Sequence, residues 1–257
     1  MSELQEIGIP VVEHCNINCK GCLHFCHRKQ LPYFADINKL EKDLNRLHSF
    51  FDNIKTIRLY GGEPLLHKEL YKFIICCKKI YVDSEIEILT NGLLLMDISS
   101  KLIETLKEYS VKIYWSVYPV INEEKYNQIL KFIEINSLNC VINKVTEFYT
   151  CFDFTGNIDA YKAFERCSGK HCHILREGKI SCCPAPLVGH LINKFGAGID
   201  FSDGIYDIYS EDATSKEILN FLNRPHNACK YCSSPRFFKW EMQGNIITLN
   251  DWKSRLV

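Results

Sequence analysis

The residues best able to do chemistry in this 257-residue chain are its fourteen cysteines. Four of them fall within the stretch HCNINCKGCLHFC near the start, where Cys15, Cys19 and Cys22 are separated by three residues and then by two. Three thiolates do not complete a structural zinc site, which takes four protein ligands, but they can hold three irons of a [4Fe–4S] cluster and leave the fourth iron open. Cys26 or His24 is the alternative fourth ligand, which would make the site a zinc knuckle or an electron-transfer centre.

Composition limits what these cysteines can be. Hydrophobic residues make up 46% of the chain and aromatic residues 12%, enough for the core of one large or two modest domains. Thirty-one Lys and Arg balance thirty-one Asp and Glu, which disfavours nucleic acid and membrane surfaces as partners. No apolar run could span a bilayer and the N-terminus lacks a signal-peptide pattern, so we expect a cytoplasmic protein. In that reducing compartment, clustered cysteines indicate metal ligation rather than disulfides.

Short apolar strands alternate with amphipathic helices over the first 150 residues. The predicted strands are 7–12, 54–60, 85–89, 111–117 and 140–145, and the predicted helices are 37–51, 68–80, 97–109 and 122–135. Repeated βα units predict an α/β domain over 1–150 with a parallel sheet and helices outside it. Ligands in such folds bind at the carboxyl ends of the strands.

Three short polar motifs follow these predicted strands. GGEP after the second strand offers two glycines, which permit a close backbone approach to a ligand, and Glu63, which could accept a hydrogen bond from an ammonium group. Thr90–Gly92 follows the third strand, and Ser116 lies near the end of the fourth. Each motif alone is also typical of an ordinary turn or strand. Their order after the cysteine loop favours a ligand site.

This order of motifs resembles the radical S-adenosylmethionine (SAM) superfamily, whose signature is Cys-x3-Cys-x2-Cys after the first strand of a partial (β/α)6 TIM-like barrel. The resemblance implies that fold, and a [4Fe–4S] cluster held by three cysteines and by SAM. One departure is Gly21, because the residue before the last cysteine is often aromatic in the family. The implied metal ligands are Cys15, Cys19 and Cys22. The implied SAM-binding residues are Gly61, Gly62, Glu63, Pro64, Thr90, Asn91 and Ser116.

The last hundred residues carry a second set of cysteines. CHILREGKISCC predicts a β-hairpin that turns at Glu177–Gly178. The pattern Cys-x10-Gly-x4-Cys with a later Cys-x2-Cys resembles the twitch domain, a shortened SPASM domain, of radical SAM enzymes. The resemblance implies that 151–257 is a small β-hairpin-plus-helix domain with one auxiliary [4Fe–4S] cluster. The implied ligands of that cluster are Cys167, Cys183, Cys229 and Cys232.

Two cysteines compete for places in this second set. Cys172 could replace Cys167, and Cys182 could replace Cys183. Strand alternation predicts that Cys182 and Cys183 lie on opposite faces, and the Gly-x4-Cys spacing selects Cys183. A zinc ribbon with four thiolates is the rival, disfavoured because its pairs usually both show Cys-x2-Cys spacing.

The family resemblance also implies a reaction. SAM is cleaved reductively to methionine and a 5′-deoxyadenosyl radical, which removes a hydrogen atom from a substrate carbon. The one-cluster C-terminal domain resembles that of small enzymes acting on aminocyclitols and sugars. The predicted function is therefore oxidation or epimerisation of a carbohydrate-like small molecule, with flavodoxin or ferredoxin as the electron donor. An epimerase would need a hydrogen donor, for which Cys26, Cys151, Cys172 and Cys182 stay open.

Two alternative functions remain at this point. A peptide-modifying maturase would carry a recognition domain ahead of the barrel, and only fourteen residues precede Cys15. That element could instead be a separate chain. The alternative from another class is a non-catalytic zinc or iron–sulfur module.

Overall fold

The structure is a computed structural model that describes residues 3–27, 31–244 and 246–254. The chain divides into two compact units. The first consists of Met1–Cys15 and Leu31–Thr146, and the second of Asn16–Gln30 and Glu147–Val257. The segment with two of the first three cysteines therefore groups with the C-terminal part, although the sequence pattern assigned it to the N-terminal domain.

Five strands alternate with four helices in the described part of the first unit. The strands are β1 (Glu3–Val12), β2 (Asn53–Gly61), β3 (Glu85–Thr90), β4 (Lys112–Val117) and β5 (Cys140–Lys144). The helices are α1 (Ile37–His48), α2 (Leu70–Ile80), α3 (Ser100–Glu108) and α4 (Glu123–Ile135). All neighbouring strands are parallel, in the order β5-β4-β3-β2-β1. The predicted α/β fold class is confirmed, with five parallel strands in the described residues where the resemblance implied six.

Local sequence accounts for these elements. In α1, Leu40, Leu44 and Leu47 recur at helical spacing and are the apolar residues it buries. Asp36 caps that helix, as its Oδ1 accepts hydrogen bonds from the backbone N–H groups of Asn38 (2.8 Å) and Lys39 (3.0 Å). Strands β1 and β3 bury most of their residues, as is typical of strands within a parallel sheet.

Strand register brings the predicted motifs to one edge of the sheet. Val12 pairs with Gly61 at the ends of β1 and β2, and Thr90 pairs with Trp115 at the ends of β3 and β4. Ser116 is the next residue of β4. The parallel arrangement therefore places the GGEP, TNG and Ser116 positions at the carboxyl ends of neighbouring strands, as the sequence predicted.

The second unit is built from short elements. Its strands are β6 (Glu147–Phe152), β7 (Ile174–Arg176), β8 (Lys179–Ser181), β9 (Tyr206–Asp207) and β10 (Cys232–Lys239). Its α-helices are α5 (Ala160–Glu165), α6 (Pro184–Val188), α7 (His190–Asn193) and α8 (Ser215–Leu222). Antiparallel pairs join β7 with β8, β8 with β9, and β6 with β10. Phe25, Phe152, Leu191, Ile192 and Trp252 belong to its buried apolar core.

The predicted hairpin is confirmed. Strands β7 and β8 flank Glu177 (φ 49°) and Gly178 (φ 74°), and two successive residues with positive φ are typical of a two-residue hairpin turn. The sequence analysis missed the β6–β10 pair, whose strands lie some eighty residues apart in the chain. Among the described residues, no helix has the length and apolar character needed to cross a membrane.

Candidate functional site

The sulfur of Cys22 lies in a nest of backbone N–H groups. The backbone N–H groups of His24, Phe25 and Cys26 lie close to it, Phe25 N also donates to Cys22 O (2.9 Å), and Phe25 adopts the left-handed backbone conformation (φ 55°). Burial raises the pKa of the Cys22 thiol, and the three amides act in the opposite direction. Nests of this kind bind anions, and they recur at iron–sulfur sites. The geometry fits a thiolate that shares its charge with a metal.

The other two sulfurs of the first triplet also meet N–H donors. In the first unit, Asn91 Nδ2 donates to Cys15 Sγ at 3.7 Å. In the second unit, Trp240 Nε1 donates to Cys19 Sγ at 3.3 Å. None of the fourteen cysteines, all within the described residues, forms a disulfide. Thiolates that accept hydrogen bonds from N–H groups are suitable ligands for an iron–sulfur cluster.

Gly21 departs from the family pattern for a steric reason. Its φ is +69°, and a Cβ atom at this position would lie 2.7 Å from Thr150 Cγ2 and 3.1 Å from Phe238 Cζ. Glycine tolerates both the positive φ and the close approach, whereas an aromatic side chain would need the neighbouring strands to move.

Gly61 and Gly62 pack against the backbone that leads into Cys15. Added Cβ atoms would lie 2.0 Å from the carbonyl oxygens of Val12 and His14, respectively. Gly62 N also donates to Val12 O (2.8 Å), and the next amide along the chain donates to His14 O (3.1 Å). The sequence analysis assigned these glycines to close approach of a ligand. In the structure, what they approach is the start of the cysteine loop.

Glu63 joins the end of β2 to the end of β3. Its Oε1 accepts hydrogen bonds from Leu65 N (3.0 Å) and Thr90 Oγ1 (2.7 Å), and its Oε2 accepts one from Asn91 N (2.8 Å). The residue has no exposed surface, and burial raises the pKa of its carboxyl group to about 7. We name this arrangement of Glu63, Leu65, Thr90 and Asn91 the Glu63 clasp. The clasp encloses the carboxylate on its own donors. A direct contact of Glu63 with the SAM ammonium group stays a prediction.

The remaining predicted SAM-binding residues lie beside the clasp or at the same strand ends. Asn91 is held by further bonds, since its carbonyl oxygen accepts from Trp115 Nε1 (3.2 Å) and its Oδ1 from Leu93 N (3.0 Å). Pro64 is buried and begins a short 3₁₀ turn, and Ser116 is half-buried near the end of β4. Their contacts with SAM stay predictions.

Residues 9–134, which include the first three cysteines and GGEP, match the sequence profile described as the Radical SAM superfamily. They form a radical SAM domain. This superfamily binds a [4Fe–4S] cluster and SAM. The three cysteine thiols and their N–H donors are compatible with that cluster.

Curated relatives of the radical SAM domain are GTP 3′,8-cyclases. The protein from Staphylococcus carnosus is 29% identical over 108 residues, which cover 38% of this chain and 30% of the relative. The protein from Clostridium perfringens is 26% identical over 151 residues, covering 56% of this chain and 44% of the relative. The chain therefore spans less than half the length of these relatives.

A solved structure shares the fold over the whole chain. BtrN in complex with AdoMet and 2-DOIA aligns with a TM-score of 0.53 at 17% identity, covering 100% of both chains. At this identity, the similarity concerns the fold alone.

The second cysteine cluster lies within the second unit. Cys167 is close enough to Cys183 and Cys229 for their charges to raise the pKa of its thiol, although burial is the larger cause. The hydrogen bond with Cys151 and burial raise the pKa of the Cys232 thiol, and the charges of Cys151, Cys183 and Cys229 raise it further. The four cysteines implied by the twitch resemblance are thus brought into one neighbourhood.

Two further side chains contact these cysteines, and the sequence analysis did not predict either contact. His226 Nε2 lies 3.6 Å from Cys183 Sγ and is also hydrogen-bonded to Cys229. Burial lowers the pKa of His226, but the hydrogen bonds to Cys183 and Cys229, together with the charges of these two cysteines, outweigh burial and raise the pKa to about 10. The thiol of Cys151 is hydrogen-bonded to Cys232. The spacing His-x2-Cys-x2-Cys was the available signal for His226.

The prediction that Cys182 and Cys183 lie on opposite faces is wrong. Their sulfurs and His226 lie within 4.8 Å of one another, because β8 ends at Ser181 and strand alternation does not continue beyond it. Both sulfurs are therefore available to one centre.

The four proposed hydrogen donors occupy different settings. Cys151 and Cys182 lie in the second cysteine cluster, Cys26 is buried with its Sγ 3.3 Å from His24 O, and Cys172 is half-buried. Nothing in the geometry selects one of them.

Substituting Gly62 by alanine tests the contact between GGEP and the cysteine loop. We expect Gly62→Ala to lower the free energy of unfolding by about 1–3 kcal/mol, because its methyl group would overlap the His14 carbonyl. Urea unfolding measures the change, and the iron content after reconstitution should fall in parallel. Gly244→Ala is the matched control, because nothing lies within 4 Å of its Cβ position. Equal stability of the two variants would contradict the contact.

The buried Glu63 carboxyl predicts a pH-dependent stability. Its pKa in the folded protein is about 7 against an ordinary value of 4.5, so the folded state holds this proton more tightly than the unfolded state. As pH rises from about 4.5 to about 7, the wild type should lose about 3 kcal/mol of unfolding free energy relative to Glu63→Gln. Urea unfolding at several pH values measures the difference. The exposed control Glu104→Gln should follow the wild type, and a pH-independent gap between wild type and Glu63→Gln would refute the assignment.

Proposed function

We propose that this chain cleaves SAM reductively and uses the resulting radical to oxidise or epimerise a carbohydrate-like small molecule, such as a sugar or cyclitol. The observation that carries the proposal is the Cys-x3-Cys-x2-Cys triplet in a radical SAM domain, with an N–H donor on each of its three sulfurs. Flavodoxin or ferredoxin is the proposed source of the electron.

The roles of the residues follow from their positions. Cys15, Cys19 and Cys22 would hold three irons and leave one coordination site for SAM. When bound, the cluster supplies the electron that cleaves SAM, and SAM supplies the radical that removes a substrate hydrogen atom. The Glu63 clasp fixes the backbone N–H of Asn91, and the side-chain Nδ2 of Asn91 donates to Cys15 Sγ. The strand ends that carry these residues would bind the rest of SAM.

We further propose that 1–150 acts as the radical SAM barrel and 151–257 as a twitch-type domain with an auxiliary [4Fe–4S] cluster. The proximity of four cysteines in the second unit supports this assignment. The proposed ligands are Cys167, Cys183, Cys229 and Cys232. An auxiliary cluster would accept the electron that a substrate radical must lose when an alcohol carbon becomes a ketone.

A nucleotide substrate is the second candidate. It is favoured by the curated relatives of the N-terminal region, whose name describes cyclisation of GTP. Incubating the reconstituted enzyme with SAM, reductant and either GTP or a panel of aminocyclitols and sugars separates the two. Mass loss of two hydrogens from a cyclitol or sugar supports oxidation, an unchanged mass with inverted configuration supports epimerisation, and a cyclised nucleotide supports the second candidate.

Removing the first three cysteines together tests the site of SAM cleavage. The wild type should hold about eight irons after anaerobic reconstitution, as two four-iron clusters require, and Cys15→Ala/Cys19→Ala/Cys22→Ala should hold about four. The variant should release no 5′-deoxyadenosine, which chromatography measures. The control Cys140→Ala should keep both properties. Continued SAM cleavage by the triple variant, or a colourless wild type loaded with zinc, would overturn the proposal.

A pair of single variants tests the auxiliary ligands. Cys183→Ala should lose about four irons and retain the cluster that responds to SAM, because its thiol is the proposed ligand. Cys182→Ala serves as the matched neighbour and should keep its iron. The reverse result would assign Cys182 to the cluster, and full iron in both variants would remove this hairpin from the auxiliary site.

A further inference from the structure

The indole of Trp240 is hydrogen-bonded to a sulfur of the first cysteine triplet. Its Nε1 lies 3.3 Å from Cys19 Sγ, within hydrogen-bond range for sulfur, although the two residues are 221 positions apart in the chain. Both belong to the second unit. Each is only 8% exposed, so water competes poorly for either partner.

A network of backbone contacts fixes this hydrogen bond. Cys19 and Met242 form an antiparallel bridge, and Lys20 N donates to Glu241 O (3.1 Å). Gln243 N donates to Asn18 O (2.6 Å). The segment 240–243 therefore runs along 18–20 like a short strand. We call this segment the C-terminal strap.

The strap adds an ion pair next to the sulfur contact. Lys20 Nζ lies 2.5 Å from Glu241 Oε1 at the partly exposed side of the strap. A pair with this exposure contributes little stability. The backbone bonds, rather than the ion pair, are what hold the indole in place.

We propose that Trp240 is a positioning residue of the first cluster, whose indole N–H donates to the Cys19 thiolate and raises the reduction potential of that cluster. The proposal rests on the proposed cluster at Cys15, Cys19 and Cys22. Reduction adds negative charge to the cluster and its thiolates, so a fixed N–H donor stabilises the reduced form more than the oxidised form. Low exposure strengthens the effect because the local dielectric is low.

A second indole provides an internal comparison. Trp252 Nε1 donates to the carbonyl oxygen of Cys22 at 2.8 Å, and Trp252 is fully buried. It holds the same loop, but its hydrogen bond ends on a carbonyl oxygen rather than on a sulfur. Replacing this indole removes a loop contact of similar kind without removing an N–H···S bond.

The experiment is an anaerobic redox titration of the reconstituted full chain. The first cluster is identified as the electron paramagnetic resonance signal that changes when SAM is added. Trp240→Phe keeps an aromatic ring and removes the N–H donor, so its midpoint potential should shift to a more negative value with the iron content unchanged. Trp252→Phe should keep the wild-type potential. An unchanged potential in Trp240→Phe, or an equal shift in both variants, would overturn the proposal.

A measurement on the wild type covers the case in which Trp240→Phe does not load iron. Protein labelled with ¹⁵N at its tryptophan indoles should show a nitrogen coupling to the reduced first cluster in pulsed paramagnetic resonance. That coupling should persist in Trp252→Phe. Absence of the coupling in the wild type would refute the hydrogen bond, whereas a wild type without any SAM-responsive cluster would instead refute the proposed function on which the inference rests.

Discussion

Negative charge on cysteine sulfur, held where water has little access, needs N–H groups to balance it, because an uncompensated charge in a poorly hydrated place is strongly destabilised. The first triplet meets this need in three different ways. An asparagine side chain serves Cys15, an indole serves Cys19, and three successive amides serve Cys22. The surrounding loops, glycines and C-terminal strap are arranged to bring these donors to the sulfurs.

The GGEP motif contributes to this arrangement through its backbone as much as through its carboxylate. Gly62 lets the end of β2 lie directly against the carbonyl of His14, next to the first cysteine. Glu63 turns inward and fixes the end of β3, so that Asn91 faces Cys15. Burying a carboxylate is unfavourable, and the three donors of the clasp offset part of that penalty. The motif therefore positions the cysteine loop and the end of β3 through contacts within the protein.

The second cysteine cluster also places cysteine sulfurs beside a nitrogen-bearing side chain. Its sulfurs come from loop and strand-end positions around a short hairpin, and His226 supplies a nitrogen close to two of them. More cysteine sulfurs lie here than one four-iron cluster would need, since Cys151 and Cys182 adjoin the four proposed ligands. Such surplus explains why cysteine spacing left the choice between neighbouring positions open.

The sequence by itself determined the α/β alternation of the first unit, the hairpin at Glu177–Gly178 and the order of the cysteine motifs. These features are local, since periodicity, turn residues and spacing within one loop are written in consecutive residues. Only the tertiary structure decided that Glu63 is enclosed by the clasp, that Cys182 and Cys183 approach one site, and that Trp240 donates to Cys19. Each of those contacts joins residues from separate elements or lies beyond the end of a strand. Patterns in consecutive residues do not specify such partners, because the packing of the whole fold selects them.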